Sequence, residues 1–414
     1  MNCASELDRR RFSAERPPVV LLGGLNVLRA VGLAGIPVIV GSSCADELAF
    51  ASRYCCARLL LPPLDNRRAV ADGLLRAGER LAGRLGRRVP LFYSNDDWQR
   101  LVQDHRSELA QHYALLLNDA DTADALIEKD LFQPLAAARG LPIPRTLDWD
   151  ELERIAGPVL VKPRTKVGQH LSAAHLQLFG RQGKAQIFPN GRALLADAAA
   201  QQLRDGLLIQ EYIDGDDRQI WSFHGFADEH SELLGWFIGR KIRTYPALTG
   251  ASTYLELAHD EELADLGPRI VSALGLKGVF KVDLKRDPRT GRFRMLEVNA
   301  RYNLWHYLGA ANGLNLPLMA YDYLVYGKRP AATRRYRTTY RWIHLRFDWH
   351  AYRQLAARGE LSLRDWLVSL MAAPKVCQLF SWVDPLPFFY RLGHLKSRLP
   401  RLTTVLRRWL STAS

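Results

Sequence analysis

Cysteine is scarce in this chain: five residues in 414, at Cys3, Cys44, Cys55, Cys56 and Cys377. None forms a C-x-x-C pair. That excludes a disulfide framework or a cysteine-based zinc site and suits a reducing compartment. Long apolar runs are also missing. A spanning helix needs roughly 18 to 20 uncharged residues. The best stretch, VVLLGGLNVLRAVGLAGIPVIV, is broken by Asn26, Arg29, Pro37 and several glycines. The first turn, GGLNVLRAVG, lacks the G-x-G-x-x-G spacing of a dinucleotide loop, and no acidic residue ends the next strand. No Ser/His/Asp or Cys/His order stands out. His170, His175, His224 and His259 are scattered and read as structural or solvated.

Acid is short at the C-terminal end. Residues 331–414 hold 15 Lys/Arg and 4 Asp/Glu, a balance of +11, so the rest of the chain carries only +3 of the total +14. A basic partner surface therefore belongs to the tail and not to the chemistry. RRRF at residues 9–12 has the look of a twin-arginine export signal, but Arg29 would fall inside its apolar region. A disordered tail over 1–17, followed by strand, turn, helix and strand, is the reading taken.

The length calls for two or three domains. Residues 18–118 alternate short apolar runs (PPVVLLGG, GIPVIVGS, ARLLLPP, VPLFYSN) with helical patterns, including one over 67–86, which predicts a parallel α/β sheet. Residues 120–145 read as one helix closed by Gly140 and Pro142, followed by the strand GPVLVKP. A polar loop runs from Arg164 to about Gly183. AQIFPN reads as a strand, 191–204 as a helix and GLLIQEYIDG as a strand entering a turn. Residues 218–243 read as antiparallel strands and 260–275 as a helix. GVFKVDLKRDPRTGRFRMLEVNA reads as a hairpin turning at DPRTG.

That hairpin carries the chemistry. Glu297 and Asn299 are two apart on an apolar strand, so they share a face. Asp283 lies on the facing strand, and Arg301 follows two residues on. Two carboxylates and an amide, completed by a substrate phosphate, describe a magnesium site. The competing reading is a salt-bridge ladder with Lys281, Lys285 and Arg294, which leaves the asparagine without a purpose. Lys162 ends the apolar run PVLVKP, where an ammonium needs a partner, and phosphate is the obvious one. Lys129 would be a second cation, or simply a solvated helix residue. Gln210 to Ile213 (Gln210, Glu211, Tyr212, Ile213) form a connector whose backbone can pair with an adenine edge, and Asp217 after the turn could hold ribose hydroxyls. Arg240, Lys241 and Arg243 read either as a basic strand edge or as charge neutralisers beside a triphosphate.

Taken in order, these segments resemble the ATP-grasp superfamily, and within it the D-aspartate-ligase-like carboxylate–amine ligases. SRYCCARLLLPP, LIQEYIDG, GRKIRTYP, LEVNARYN and NGLNLP carry the closer likeness, which covers about residues 18–330. The resemblance implies an ATP-grasp fold with α+β ATP-binding subdomains over 119–330. A Rossmann-like parallel α/β pre-ATP-grasp domain would precede it over 18–118, and a basic, Trp-rich helical extension would follow over 331–414. It implies ATP and Mg²⁺ (Mn²⁺ as a substitute) phosphorylating a carboxylate, with an amine then attacking to form an amide. By the same resemblance Lys129 and Lys162 would bind the α- and β-phosphates. Gln210, Glu211, Tyr212 and Ile213 would line the adenine pocket, Glu211 and Ile213 offering backbone groups, and Asp217 would hold the ribose. Asp283, Glu297 and Asn299 would hold the metal. Arg301 with Arg243, helped by Lys241, would meet the γ-phosphate, the acyl phosphate or the carboxylate. The chain departs from many relatives in its lid: PRTKVGQHLSAAH contains one glycine, Gly168.

The resemblance implies small-molecule carboxylate and amine partners and a cytoplasmic setting, with a homodimer by analogy alone. Outside the shared core, leucines 392 to 410 at steps of three and four alternate with arginines. This tail reads as a helical extension packed on the core or as a peripheral contact with an anionic membrane. Nucleic acid is the least suited partner, for want of a recognisable module. A non-catalytic nucleotide-responsive or membrane-docked adaptor, and another phosphoryl-transfer enzyme on the same fold, are the competing functions.

Overall fold

The computed structural model describes residues 6–7, 9–165, 172–180 and 184–393. The lead domain is a parallel sheet of β1 (Val19–Leu22), β2 (Val38–Ser42), β3 (Cys55–Leu60), β4 (Val89–Tyr93) and β5 (Tyr113–Ala114), in the order β3-β2-β1-β4-β5. Its inner strands β2, β1 and β4 are wholly buried runs, as strands covered on both faces require, whereas the edge strand β3 is partly exposed. Helices α1 (Leu25–Leu33), α2 (Arg67–Leu85) and α3 (Asp96–Asp104) make the crossovers. The order reverses at β1, so the carboxyl ends of β1 and β4 frame the crevice where such sheets take ligands. Asn95 caps α3 there, its side chain accepting from Trp98 N at 2.8 Å, worth about 1 kcal/mol.

The expected single helix over 120–145 is two: α4 (Ala120–Ile127) and α5 (Lys129–Ala138). Glu128 between them is extended and bridges to Thr165, while Lys129 N donates to Arg164 O. This break pulls the start of α5 against the strand that carries Lys162. That strand is β6 (Val159–Pro163), the centre of a small antiparallel sheet flanked by β7 (Gln186–Phe188) and β8 (Leu207–Glu211).

The large sheet contains β9 (Ile220–Ala227), β10 (Leu233–Tyr245), β11 (Ala251–Ala258), β12 (Gly278–Arg286) and β13 (Phe293–Asn299), ordered β13-β12-β9-β10-β11. One face packs on α6 (Glu261–Leu274) through Phe223, Phe280, Leu263 and Ile270. The other packs on α7 (Trp305–Ala311) and α8 (Leu316–Tyr326), and these reach α1 of the lead domain in one continuous core.

Two expectations about the ends change. The extension is not helical throughout: β14 (Arg341–Ile343) and β15 (Lys375–Cys377) extend the large sheet beyond β11, around α9 (Leu345–Ala357) and α10 (Leu363–Met371). The N-terminal segment, among its described residues, packs on the lead sheet rather than trailing. Leu7 is buried in that core, and Arg84 donates to Leu7 O and Arg10 O. The lid loop around Lys166 and Gly168, and most of the leucine–arginine tail, lie outside the described residues.

Candidate active site

The DPRTG turn sets Asp283 of β12 directly opposite Glu297 of β13. Asn299 shares their face. Its Nδ2 donates to Glu297 Oε1 at 3.2 Å and Asp283 Oδ2 at 3.4 Å, and its Oδ1 accepts from Arg301 Nη2 at 3.4 Å. The three oxygen-bearing side chains and the guanidinium are thus one cluster. Asp283 is buried and also accepts from Ser222 of β9 at 2.7 Å and pairs with Lys281 at 2.5 Å. Lys281 therefore balances the buried charge, as the ladder reading anticipated, without displacing the asparagine.

A bulge follows this pair. Asp283 faces Glu297 but Leu284 faces Met295, leaving Leu296 as the extra residue. The Leu296 carbonyl accepts from Lys162 Nζ at 3.5 Å, so the lysine of the small sheet bends across the cleft toward the carboxylate strand. Lys129 Nζ donates to Pro163 O. Both lysines are buried. Among the remaining expected residues, Gln210 is buried with no hydrogen-bond partner for its Nε2 among the described residues. Ile213 is buried beside it in the connector. Tyr212 lies under Lys285, whose Nζ is 4.6 Å from the ring centroid and donates to Gly215 O at 2.9 Å. Burial lowers the Lys285 ammonium from its ordinary value to about 8 and lifts the Tyr212 phenol to about 12.

Three expected contacts are committed elsewhere. The N–H of Glu211 donates to Arg145 O and its carboxylate accepts from Arg145 N, so this residue ties β8 to the preceding segment. Asp217 accepts from Thr244 N, Thr244 Oγ1 and Leu248 N, all within 3.0 Å, so its carboxylate fixes that turn instead of facing a ribose. Arg243 forms a buried bidentate pair with Asp348 of α9, both bonds 2.8 Å, and stacks over Tyr254. The cause is a second bulge. Lys241 faces Leu255 while Arg243 faces Tyr254, so the extra residue turns Arg243 away from the face that carries Lys241.

The lead domain completes the cluster with a residue that sequence reasoning missed. Arg301 makes a bidentate pair with Asp96, at 2.7 and 2.9 Å, at the start of α3. Tyr302 N donates to Tyr93 O and its ring stacks on Phe92 at 4.2 Å, pinning this junction. Lys184 was missed too. It keeps an exposed surface but stands in the field of Glu297, Lys281, Lys241 and Arg301, and the protein crowding it shifts its ammonium downward. A lone lysine after a loop glycine offered no sequence signal.

The floor is apolar. Gly239 of β10 lies against Trp305: an added Cβ would meet the indole at 2.2 Å. His224, stacked on Phe237 at 4.7 Å, lies beside the same indole, and burial drives its basicity well down. Among the described residues no group of three His, Cys, Asp or Glu side chains gathers as a metal cage. Asp283 and Glu297 with an amide oxygen are instead the few-ligand, oxygen-only set that magnesium accepts when phosphates and water complete it, so these residues fit that ion.

Comparison with known proteins bears on the fold. No known family profile matches the chain. The L-amino acid ligase of Bacillus licheniformis superposes with a TM-score of 0.55 over 75% of this chain and 74% of its own, at 14% identity. The biotin carboxylase domain of the Hydrogenobacter thermophilus 2-oxoglutarate carboxylase, solved with MgADP, ADP and bicarbonate, gives 0.55 over 78% and 73%, at 15% identity. The chain has the ATP-grasp fold. In this fold the small sheet and the large sheet approach each other at Lys162 and Leu296. In sequence, it is 23% identical over 284 residues to D-aspartate ligase of Enterococcus faecium (strain Aus0004), across 65% of this chain and 66% of the relative. The match thus spans a little under two thirds of that ligase's length.

Proposed function

We propose that this chain is an ATP- and magnesium-dependent carboxylate–amine ligase. The observation that carries the proposal is the convergence of Asp283, Glu297, Asn299 and Arg301 on one sheet face, opposite Lys162. The likeness to D-aspartate ligase and to the L-amino acid ligase supports it.

Phosphoryl transfer asks a protein for positioning and charge neutralisation more than for a nucleophile. Lys129 and Lys162 would hold the α- and β-phosphates. Leu160, Leu208 and Gln210 share the cleft face of the small sheet and would bound the base, with the Gln210 Nε2, which has no partner among the described residues, turned to its edge. Asp283, Glu297 and Asn299 would hold magnesium, which neutralises phosphate oxygens when bound. The Asn299 amide would turn its oxygen from Arg301 toward the ion. Arg301, Lys241 and Lys184 would meet the γ-phosphoryl group. The substrate carboxylate oxygen takes that group and ADP leaves. The amine nitrogen then attacks the acyl carbon, the C–O bond to phosphate breaks, the nitrogen gives up a proton to the departing phosphate or to water, and an amide remains.

The acceptor would enter at the carboxyl ends of β1 and β4, where Asp96 already holds Arg301. An amino acid, a peptide or a sugar acid suits that crevice, and D-aspartate has no special claim. The test is ADP and phosphate release from MgATP across a matrix of carboxylates and amines, with Glu297→Gln as control. Turnover that requires one carboxylate and one amine, and an amide product, are expected. ATP turnover with no amide formed would move the chain to another phosphoryl-transfer class. Nucleotide binding without turnover for every pair would favour the adaptor.

A further inference from the structure

Among the described residues, fifteen large hydrophobic side chains are exposed, and eleven of them fall between residues 345 and 392. A monomer scatters such residues singly; a cluster marks a surface that meets something apolar. Met371 is 77% exposed, Trp382 89% and Phe389 58%. They are not fraying ends. Trp349 packs on Trp366 at 5.3 Å, and the Trp366 indole N–H donates to buried Asp348. Phe380 packs edge-on to Trp382 at 4.8 Å and to Phe388 at 5.4 Å. The turn that presents Trp382 and the helical residues 386–393 that carry Phe389 flank Asp384, which Arg29 and Ser52 hold inside the protein.

The charges on this surface are predominantly basic. Arg346, Arg353, Arg358, Arg364 and Arg391 are exposed. Of the four acids in the segment, Asp348 and Asp384 are buried in ion pairs, leaving Glu360 and Asp365 outside. The sequence beyond, 394–414, adds five Lys/Arg and no acid.

We propose that this face docks on an anionic lipid bilayer. Indole, phenyl and thioether groups settle in the boundary between headgroups and acyl chains, and the arginines meet the acidic headgroups. A second copy would bring one basic face against another, and a nucleic acid would use the arginines but leave the apolar cluster in water. The proposal is independent of the ligase reading.

The test is co-sedimentation of the full-length chain with vesicles of phosphatidylcholine alone and of phosphatidylcholine mixed with phosphatidylglycerol. Binding to the mixed vesicles only, weakened by salt, is expected. Trp382→Ser with Phe389→Ser should reduce it by roughly tenfold. Arg364→Gln and Arg391→Gln should reduce it by roughly fivefold each. Melting temperature and nucleotide binding should stay unchanged; if the aromatic variant misfolds, the arginine variants decide. Equal partition to both vesicle types, or no binding to either, overturns the proposal. So does a dimer in gel filtration, or retention of a mixed-sequence oligonucleotide, that these variants abolish while vesicle binding persists.

Discussion

Arg29, on the lead-domain helix α1, and Asp384, near the C-terminal end of the described chain, form a fully buried ion pair at 2.9 Å. Arg29 also donates to the carbonyls of Cys377, Gln378, Leu379 and Asp384. The extension is thereby clasped to the opposite end of the molecule, and SWVDPLPFF acquires a structural role.

Removing one partner of such a pair strands a buried charge. Asp384→Ala should cost about 3 to 5 kcal/mol in the unfolding transition that includes the lead domain, measured by urea titration. Replacing both residues together with leucine and methionine should cost less than the single change. An Asp384→Ala chain as stable as the wild type would show that the clasp is incidental.

Glu297→Gln keeps the shape but replaces one carboxylate oxygen with an amide nitrogen and removes a charge from the proposed metal cluster. Turnover should fall by at least about a hundredfold, roughly 3 kcal/mol of transition-state stabilisation, with an unchanged melting temperature. Magnesium titration followed by calorimetry in the presence of ADP should show weaker binding. A variant retaining most of its activity would remove these residues from the metal.

Asp96→Ala removes the ion pair that orients Arg301 and leaves only its longer contact to the lead domain, Nη1 to Ser94 O at 3.4 Å. MgATP affinity should hold within about twofold while kcat falls tenfold or more, because Arg301 loses its orientation. Equal losses of affinity and rate would instead mean that Asp96 supports the whole cleft.

Gly239→Ala would drive a methyl group into Trp305. The expected cost is about 1 to 3 kcal/mol, read from thermal or urea unfolding, with turnover impaired because Trp305 floors the site. Gly140→Ala is not an equivalent control, since Gly140 has a positive φ of 64°; Gly206, with open space around it, is.

Lys285 has a lowered folded-state value near 8 because burial disfavours its ammonium. Between about pH 8 and 10.4 the unfolded chain holds this proton and the native chain does not, so its contribution makes stability rise with pH across that window. The gain is at most about 3 kcal/mol. Lys285→Met should flatten that part of the profile relative to wild type, measured by urea unfolding at several pH values. Parallel profiles would mean that Lys285 titrates normally.

Most of the large elements could be read in the chain. Buried parallel strands announce themselves as short apolar runs, and the β12–β13 hairpin is specified by its turn residues and its two-residue alternation. Alternation also put Glu297 and Asn299 on one face, and the hairpin brought Asp283 to them. These are local rules, fixed by backbone geometry within a few residues. Arg243 and Asp217 could not be placed that way. A bulge of one residue after Lys241 reverses the side on which Arg243 emerges, and nothing in GRKIRTYP marks it. Asp217 follows a turn as a nucleotide-binding acid would, but its oxygens are claimed by Thr244 and Leu248, 27 and 31 residues away. Asp96 and Asp384 lie further still from their partners, Arg301 and Arg29, by 205 and 355 residues. By itself, then, the sequence determined the strands, the hairpin and the metal-type cluster, because each depends on near neighbours. Which charged groups face the cleft and which are bound inside the protein was decided only by the tertiary structure, because a buried charge goes to whichever distant partner the fold brings within about 3 Å.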